Sequence, residues 1–398
     1  MLKPDLFKPD YRGGGIVNLM SSILQSRGGH SDYAPLDLLP VEELTQPTNL
    51  VLLVIDGLGA DWLARRSPSG ILNQGLRGAI TSVFPPTTAA AITTFLTGEA
   101  PLQHGLTGWF TYLRELGSVM TVLPGTPRYG GVSYRQAGID PIQLFGHTSV
   151  FDRIQARGIC VSPNFIARSD FNLSHAGSAE ILPYQDLRDM FHQAARALRS
   201  KSRWGKRTQP DSTYCYLYWP KLDSLGHERG MESTETADHL GQIEQAVETF
   251  LNAIKGTDTL VMVTADHGQI DTTPADILDL ADHLELEDHL LLPLCGEPRA
   301  AFCYLREGHG AGFTAYCQEQ LGDRVDLVPS RALVESELFG LGREHPRFAD
   351  RIGDYCLLPR GQGVIHQRLP SERPHTQIGV HGGLSRAELM VPLCVFRT

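Results

Sequence analysis

The chain has 398 residues, a hydrophobic content of 41% and a formal net charge of −10 at pH 7. This length fits one large α/β domain with insertions or two domains, and the acidic balance argues against a protein that coats nucleic acid, because phosphate backbones bind basic surfaces. No segment reaches the roughly 20 apolar residues of a membrane helix. The seven dispersed cysteines and the polar N-terminus, which has no apolar signal region, lead us to expect a soluble, cytoplasmic protein.

The first predicted strand follows a long N-terminal segment. Residues 1–48 are expected to form an arm with little regular structure, apart from a short apolar turn at 16–23. Residues 49–55 (NLVLLVI) are continuously apolar, which is typical of a central strand that is buried on both faces. A second apolar strand is predicted at 79–84.

A helix is predicted after this second strand. The strand stops at Pro85-Pro86, and Thr87 or Thr88 can cap a helix that continues through the run AAAITTFL. The next segment, 106–148, holds many Gly, Pro and Tyr residues and little periodicity. We expect it to be a cap insertion over one end of the sheet.

Strands and helices alternate through the middle of the chain, which predicts a mostly parallel sheet covered by helices on both faces. The predicted helices lie at 148–156, 184–200 and 236–254, and the predicted strands at 159–163, 212–219 and 259–264. At 296–374 we expect a small α/β subdomain, inserted into a single domain that spans residues 1–398. In open sheets of this class, ligands bind beyond the carboxyl ends of the strands.

Acidic residues follow three of the predicted strands. Asp56 ends the first strand, Asp223 and His227 follow a later one, and Asp266 and His267 follow a third. Two residues that are four apart share one face of a helical turn and can bind one ion. Alone, Asp56 is better explained by a turn, and Asp223 with His227 is equally well explained by a surface hydrogen bond, but the common position of these motifs at strand ends predicts a metal site.

A third histidine lies in a glycine-rich loop. His381 is set in IGVHGG, where small neighbours let the backbone approach a crowded site, whereas the alternatives His366 and His375 lack such a setting. Together these groups predict a two-metal site, and two-metal sites mostly act on phosphoryl groups. The nucleophile is expected to be Thr87 or Thr88, because free N–H groups at a helix N-terminus favour an anion. The alternative is that both threonines are plain helix caps.

In the order of these motifs the chain resembles the alkaline phosphatase superfamily, and within it the type I phosphodiesterase/nucleotide pyrophosphatase family. The motifs run from NLVLLVIDGLG to VHGGLSRAELMVPL: an Asp, a nucleophilic Thr, D-x-x-x-H, D-H and a late H-G. By this resemblance, one metal would be bound by Asp56, Thr88, Asp266 and His267, and the other by Asp223, His227 and His381. The metals are expected to be Zn²⁺, which suits mixed Asp and His ligands, with Mn²⁺ as the alternative. The spacing to the shared T-G of FLTG assigns the nucleophile to Thr88.

The chain departs from the family pattern near this nucleophile. Family members carry T-F-P-N-H at the nucleophile, whereas here Thr88 is followed by AAAI. Family members also have an Asn that helps to hold a non-bridging phosphate oxygen, and in this chain Trp109 stands near that position. The resemblance therefore implies that a second donor comes from the backbone or from another side chain. Trp109 and Tyr112 are expected to shape a leaving-group pocket.

The resemblance predicts a phosphoric ester hydrolase that acts on a small anionic phosphate ester through a phosphothreonine intermediate on Thr88. Phosphodiesters and nucleotide pyrophosphates are the favoured substrates. A phosphomonoesterase, a phosphonate hydrolase or a sulfatase would use the same metals, although the Cys- or Ser-derived nucleophile of sulfatases is absent. A phosphomutase would normally use Ser and manganese. The non-enzyme alternative is a degenerate member that binds metal and ligand without turnover.

Overall fold

The computed structural model describes residues 7–200, 212–370, 372 and 376–398. Within them the strands are β1 Asn49–Ile55, β2 Leu76–Thr81, β3 Phe110–Leu113, β4 Ser118–Thr121, β5 Thr126–Pro127, β6 Arg157–Pro163, β7 Glu180–Tyr184, β8 Thr213–Trp219, β9 Thr259–Thr264, β10 Ile270–Asp271, β11 Ile277–Asp279, β12 Cys295–Glu297, β13 Ala300–Cys303, β14 Val325–Pro329, β15 Tyr355–Pro359, β16 Val364–His366, β17 Gly379–Val380 and β18 Met390–Arg397.

The helices of the same residues are α1 Ile16–Ser26, α2 Val41–Thr45, α3 Ala60–Arg66, α4 Ile71–Gln74, α5 Thr88–Thr97, α6 Pro101–His104, α7 Pro141–Phe145, α8 Val150–Arg153, α9 Asp170–His175, α10 Leu187–Arg199, α11 Lys221–Arg229, α12 Thr234–Ala253, α13 Leu284–Asp288, α14 Gly310–Gln320, α15 Ser330–Glu335, α16 Phe348–Ile352 and α17 Arg386–Leu389. Two short 3₁₀ turns lie at Pro274–Asp276 and Leu280–Asp282. No helix in this part of the chain is both long and apolar enough to cross a bilayer.

The first sheet has seven strands in the order β2-β18-β9-β1-β8-β6-β7. All run parallel except β18, which is antiparallel to both of its neighbours. The central strands β1, β8 and β9 contain only buried residues. Their continuous apolar runs follow from this position, because a parallel sheet is covered on both faces. The predicted mostly parallel α/β architecture is confirmed.

A second sheet of seven antiparallel strands, in the order β14-β15-β13-β12-β3-β4-β5, joins the two segments that we predicted as separate insertions. Strands β3 to β5 come from 106–148 and the other four from the later segment, and the two sets meet where Gly296 pairs with Phe110. The two segments therefore build one structure. The division of the chain into domains stays a prediction, and part of the segment 296–374 lies outside the described residues.

The N-terminal segment is more regular than we predicted. Helix α1 is buried from Ile16 to Leu24 and packs against α5. Its buried polar side chains bond to backbone carbonyls: the Ser21 hydroxyl donates to that of Tyr33 at 2.6 Å, and the Ser22 hydroxyl donates to that of Leu39 at 3.0 Å. The prediction of an arm was wrong: the apolar residues of 16–24 recur at helical spacing, and tertiary hydrogen bonds make the burial of the polar residues between them favourable. The first six residues of the predicted arm lie outside the described part.

Candidate metal centre and active site

Two clusters of possible metal ligands lie at the carboxyl edge of the first sheet. Within each cluster the ligand atoms lie within 4.8 Å of one another. The first contains Asp56, Asp266 and His267, and the second contains Asp223, His227 and His381. Strands β9, β1 and β8 are neighbours in the sheet, so the segments that follow them reach the same edge. The structure thus brings together all six of the predicted Asp and His ligands.

The first cluster contains acceptor atoms that no donor satisfies. Nδ1 of His267 lies 3.1 Å from the carbonyl oxygen of Gly268, and since a carbonyl only accepts, Nδ1 carries the hydrogen. Burial lowers the pKa of His267 to about 4, so Nε2 carries no hydrogen and is an acceptor. It lies 3.4 Å from Oδ1 of Asp56 and 3.5 Å from Oδ2 of Asp266, and both oxygens are buried without a hydrogen bond. Such a set of facing acceptors fits a divalent cation.

The second cluster also turns imidazole nitrogens towards a carboxylate, although here Oδ1 of Asp223 accepts a hydrogen bond from the Gln269 amide. Nδ1 of His227 lies 2.7 Å from the carbonyl oxygen of Gly379, and Nδ1 of His381 lies 3.0 Å from that of Pro86. In both rings Nε2 is therefore turned towards the Asp223 carboxylate, at 3.3 and 3.9 Å. Backbone carbonyls that fix the imidazole in this way are typical of metal-binding histidines.

The carboxylates of the two clusters repel one another. Burial and then the charges of Asp223 and Asp266 raise the pKa of Asp56, and burial raises the pKa of Asp266 to about 6. Burial alone would also raise the pKa of Asp223, but the His227 imidazole holds it below the usual value. Against the effect of burial, Asp223 raises the pKa of His227 to about 9. Bound cations would relieve this repulsion, so the charges of the site also fit metals.

Thr88 stands beside the first cluster. Its Oγ1 lies 3.2 Å from Nε2 of His267, at the first residue of α5. Thr87 occupies the N-cap position, but its hydroxyl does not cap the helix and donates instead to Glu297. The first turn of α5 therefore has no side-chain cap, and its free N–H groups and dipole favour an anion near Thr88. Of the two threonines, Thr88 is the one that contacts the candidate metal ligands.

Three charged residues near the clusters were not predicted from the sequence. Glu297 is buried, and its burial raises its pKa to about 7. Arg299 and Glu388 form a buried ion pair with 2.7 Å between Nε and Oε1. Glu388 also accepts from the Gly383 N–H at 2.7 Å, and its own carbonyl accepts from the Gly268 N–H at 2.8 Å. It thus ties the loop of His381 to that of His267, a connection that no local pattern indicates.

A cavity of about 930 Å³ opens over both clusters. Trp109 lines it and is 38% exposed. Tyr112 is not part of its lining; its ring packs 5.4 Å from that of Tyr304. His366 lines the cavity but belongs to neither cluster, since its Nδ1 lies 3.0 Å from an Asp279 oxygen. The other alternative ligand, His375, lies outside the described residues.

Comparison with known proteins gives one family match and several similar folds. The family model of type I phosphodiesterase / nucleotide pyrophosphatase matches residues 50–337. No curated protein matches the chain in sequence. Murine ectonucleotide pyrophosphatase/phosphodiesterase 5 is 16% identical, with a TM-score of 0.64 over 86% of this chain and 87% of that one.

Two further solved structures share this fold. An inactive threonine-to-alanine variant of the murine protein, in complex with AMP, is 15% identical, with a TM-score of 0.64 over 86% of this chain and 87% of that one. The human protein is also 15% identical, with a TM-score of 0.64 over 87% of each chain. At this level of identity the structures show a common fold.

Proposed function

The chain belongs to the type I phosphodiesterase/nucleotide pyrophosphatase family, and on that premise we propose that this phosphoric ester hydrolase cleaves phosphodiesters or nucleotide pyrophosphates at a two-metal site, with Thr88 as the nucleophile. The observation that carries the proposal is the contact of the Thr88 hydroxyl, at 3.2 Å, with a histidine that faces two unsatisfied carboxylate oxygens. A hydroxyl, a neutral imidazole and two buried carboxylates in this arrangement suit one cation with a nucleophile beside it.

The proposed ligands divide between two cations. Asp56, Thr88, Asp266 and His267 would hold one, and Asp223, His227 and His381 the other. When bound, the cations would lower the pKa of the threonine hydroxyl and neutralise charge on the non-bridging phosphate oxygens. The mixture of carboxylate and imidazole donors supports Zn²⁺, with Mn²⁺ as the alternative.

The proposed reaction proceeds in two displacements at phosphorus. Oγ1 of Thr88 gives its proton to water and attacks phosphorus, and the bond to the leaving oxygen breaks as the new P–Oγ1 bond forms. The leaving group departs as an oxyanion, which can take a proton from water. Water then attacks the phosphothreonine, breaks the P–Oγ1 bond and restores the hydroxyl. The uncapped N-terminus of α5 stabilises negative charge on Oγ1 in both steps.

The expected substrate is a small anionic ester. The murine relative was solved with AMP as an inactive threonine variant, which supports a nucleotide-derived substrate and a threonine nucleophile. We also propose the cytoplasm as the location. All seven cysteines are buried and free, which suits a reducing compartment.

A panel of p-nitrophenyl esters tests this function. The protein is assayed with Zn²⁺ or Mn²⁺ on thymidine 5′-p-nitrophenyl phosphate, bis-p-nitrophenyl phosphate, p-nitrophenyl phosphate, a phosphonate monoester and p-nitrophenyl sulfate. We expect the diesters to give the highest kcat/KM. Faster turnover of the monoester or the phosphonate would replace the proposal with that activity. Metal binding without turnover of any ester would favour a binding protein.

A further inference from the structure

Glu297 is a buried acid in the cavity wall that the two-step reaction does not use. It ends β12 in the second sheet, is 7% exposed and lines the cavity. Its Oε1 accepts hydrogen bonds from the Thr87 hydroxyl and from the Trp109 N–H, the latter at 2.6 Å. Its Oε2 has no hydrogen-bond partner among the described residues. The nearby Arg299 pairs with Glu388 instead. Burial raises the pKa of Glu297, and the His227 imidazole partly opposes this effect.

Its contacts with Thr87 and with the loop of His381 place this acid next to the proposed reaction centre. Thr87 directly precedes Thr88 in the chain. A Cβ built on Gly382 would lie 2.7 Å from Cβ of Glu297, so the acid also packs against the loop that carries His381. Two donated hydrogen bonds favour the charged form of a carboxyl group over the neutral form. Burial still raises the pKa of Glu297 to about 7, so above that pH this wall of the cavity carries a negative charge close to where phosphoryl oxygens would bind.

This charge has different consequences for different esters. A phosphodiester carries one negative charge on its phosphoryl group, whereas a phosphomonoester carries two when it is fully ionised. A fixed carboxylate in a water-poor wall repels the second charge more strongly than it would in bulk water. We propose that Glu297 is a specificity-determining residue that disfavours dianionic phosphoryl groups and so gives the site a preference for phosphodiesters. This inference rests on the proposed function.

A purely structural role for Glu297 makes a different prediction. Glutamine has the same shape, and its amide oxygen can accept from Thr87 and Trp109 as the carboxylate does. Glu297→Gln therefore removes the charge and keeps the positions of both neighbours. Glu297→Asp keeps the charge and shortens the side chain, which would disturb those positions. The two variants separate charge from packing.

The test compares two substrates with one leaving group. Kinetics are measured on p-nitrophenyl phosphate and methyl p-nitrophenyl phosphate, with metal added, at a pH well above the pKa of about 7 of Glu297, where the monoester is also fully dianionic. For E297Q we expect the ratio of monoester to diester kcat/KM to rise roughly tenfold, the effect of one unit charge at about 6 Å and an effective dielectric constant of about 40. E297D should keep the wild-type ratio. The control E248Q replaces an exposed glutamate of α12 by glutamine and should leave the ratio of monoester to diester kcat/KM unchanged.

The outcomes separate this inference from the function on which it rests. An unchanged ratio in a folded, active E297Q variant overturns the inference and leaves the hydrolase intact. A shift in E297D but not in E297Q assigns Glu297 to packing and also overturns it. If E297Q does not fold, Glu297→Leu removes the same charge without an amide. An unchanged ratio of monoester to diester kcat/KM in that variant then overturns the inference. Wild-type protein that cleaves neither ester overturns both proposals.

Discussion

The two large sheets contribute to the cavity in different ways. The first sheet carries the candidate metal ligands and Thr88 at one edge, where buried parallel strands and backbone carbonyls hold each ring in place. The second sheet contributes Trp109, Phe110 and Glu297 to the cavity wall. Rigid strands thus position the groups proposed for the chemistry, and a separate sheet built from two distant segments forms the surface proposed to select the substrate.

The two regions are joined by a buried ion pair. Arg299 lies between β12 and β13 of the second sheet, and Glu388 lies in α17, which directly precedes β18 of the first. Glu388 also accepts a hydrogen bond from the loop of His381. The position of the cavity wall in the second sheet is therefore coupled to the edge of the first sheet that carries the candidate metal ligands. Breaking a buried pair of this kind is strongly destabilising, so the coupling is part of the folded structure.

The largest expected effect concerns the chemistry assigned to the first sheet. Thr88→Ala should reduce kcat by more than about 10³-fold, because it removes the attacking atom, while folding and metal content stay close to wild type. The matched variant Thr87→Ala removes the neighbouring hydroxyl and should cost about tenfold or less. Diester kinetics measure kcat for both variants, and elemental analysis measures their metal content. Residual activity in T88A at the level of T87A would assign the nucleophile elsewhere.

The second prediction distinguishes a metal site from an ordinary buried acid. Asp56→Asn should weaken metal binding and activity by at least about 100-fold. In metal-free protein the same change should raise the free energy of unfolding by on the order of 1 kcal/mol, because it relieves repulsion among buried carboxylates. Urea unfolding with chelator and with Zn²⁺ should show opposite signs for the variant. Destabilisation under both conditions would argue against a cation between these groups.

A third prediction concerns histidines that lie away from the clusters. Burial lowers the pKa of His175 to about 4, and it lowers those of His104 and His147 well below the usual value. The unfolded chain, with a histidine pKa of about 6.5, binds these protons first, so stability is complete above that pH and is lost as the pH falls towards 4. The loss is at most about 1.4 kcal/mol per histidine per pH unit.

Urea unfolding of metal-free protein at pH 7 and at pH 5.5 measures this loss. The variant His175→Asn is the matched control, because its amide can still donate to the Phe171 carbonyl that His175 contacts at 2.8 Å. Its stability should depend less on pH than that of wild type. An equal dependence in both proteins would place the acid sensitivity elsewhere.

The smallest effect is expected in the second sheet. Trp109→Ala removes an aromatic ring from the cavity wall and should raise KM for aromatic diesters by about tenfold with little change in kcat, since the ring is proposed to contact the leaving group and not phosphorus. Tyr112→Phe is the comparison, because that ring packs against Tyr304 away from the cavity, and it should leave KM unchanged. A fall in kcat for the Trp109 variant would move this residue into the reaction centre.

Local sequence patterns predicted the first sheet but did not show how deeply the N-terminal helix is buried. The run NLVLLVI is apolar at every position because β1 is covered on both faces, and acidic residues at strand ends stand out against such runs. In α1 the apolar residues recur at helical spacing, but Asn18, Ser21 and Ser22, which lie between them, are buried as well. Their burial depends on acceptors that lie more than one turn away in the chain, so no local pattern could indicate it.

By itself the sequence determined the sheet class, the motif order and the residue types that meet at one edge, because these follow from local periodicity and from the shared direction of parallel strands. Only the tertiary structure decided which histidine nitrogen faces each cluster, that Thr87 turns towards Glu297, and that two distant segments share one sheet. Except for the ring of His267, which bonds to the adjacent Gly268, those features depend on hydrogen bonds between residues far apart in the chain, and the sequence carries no periodic signal for them.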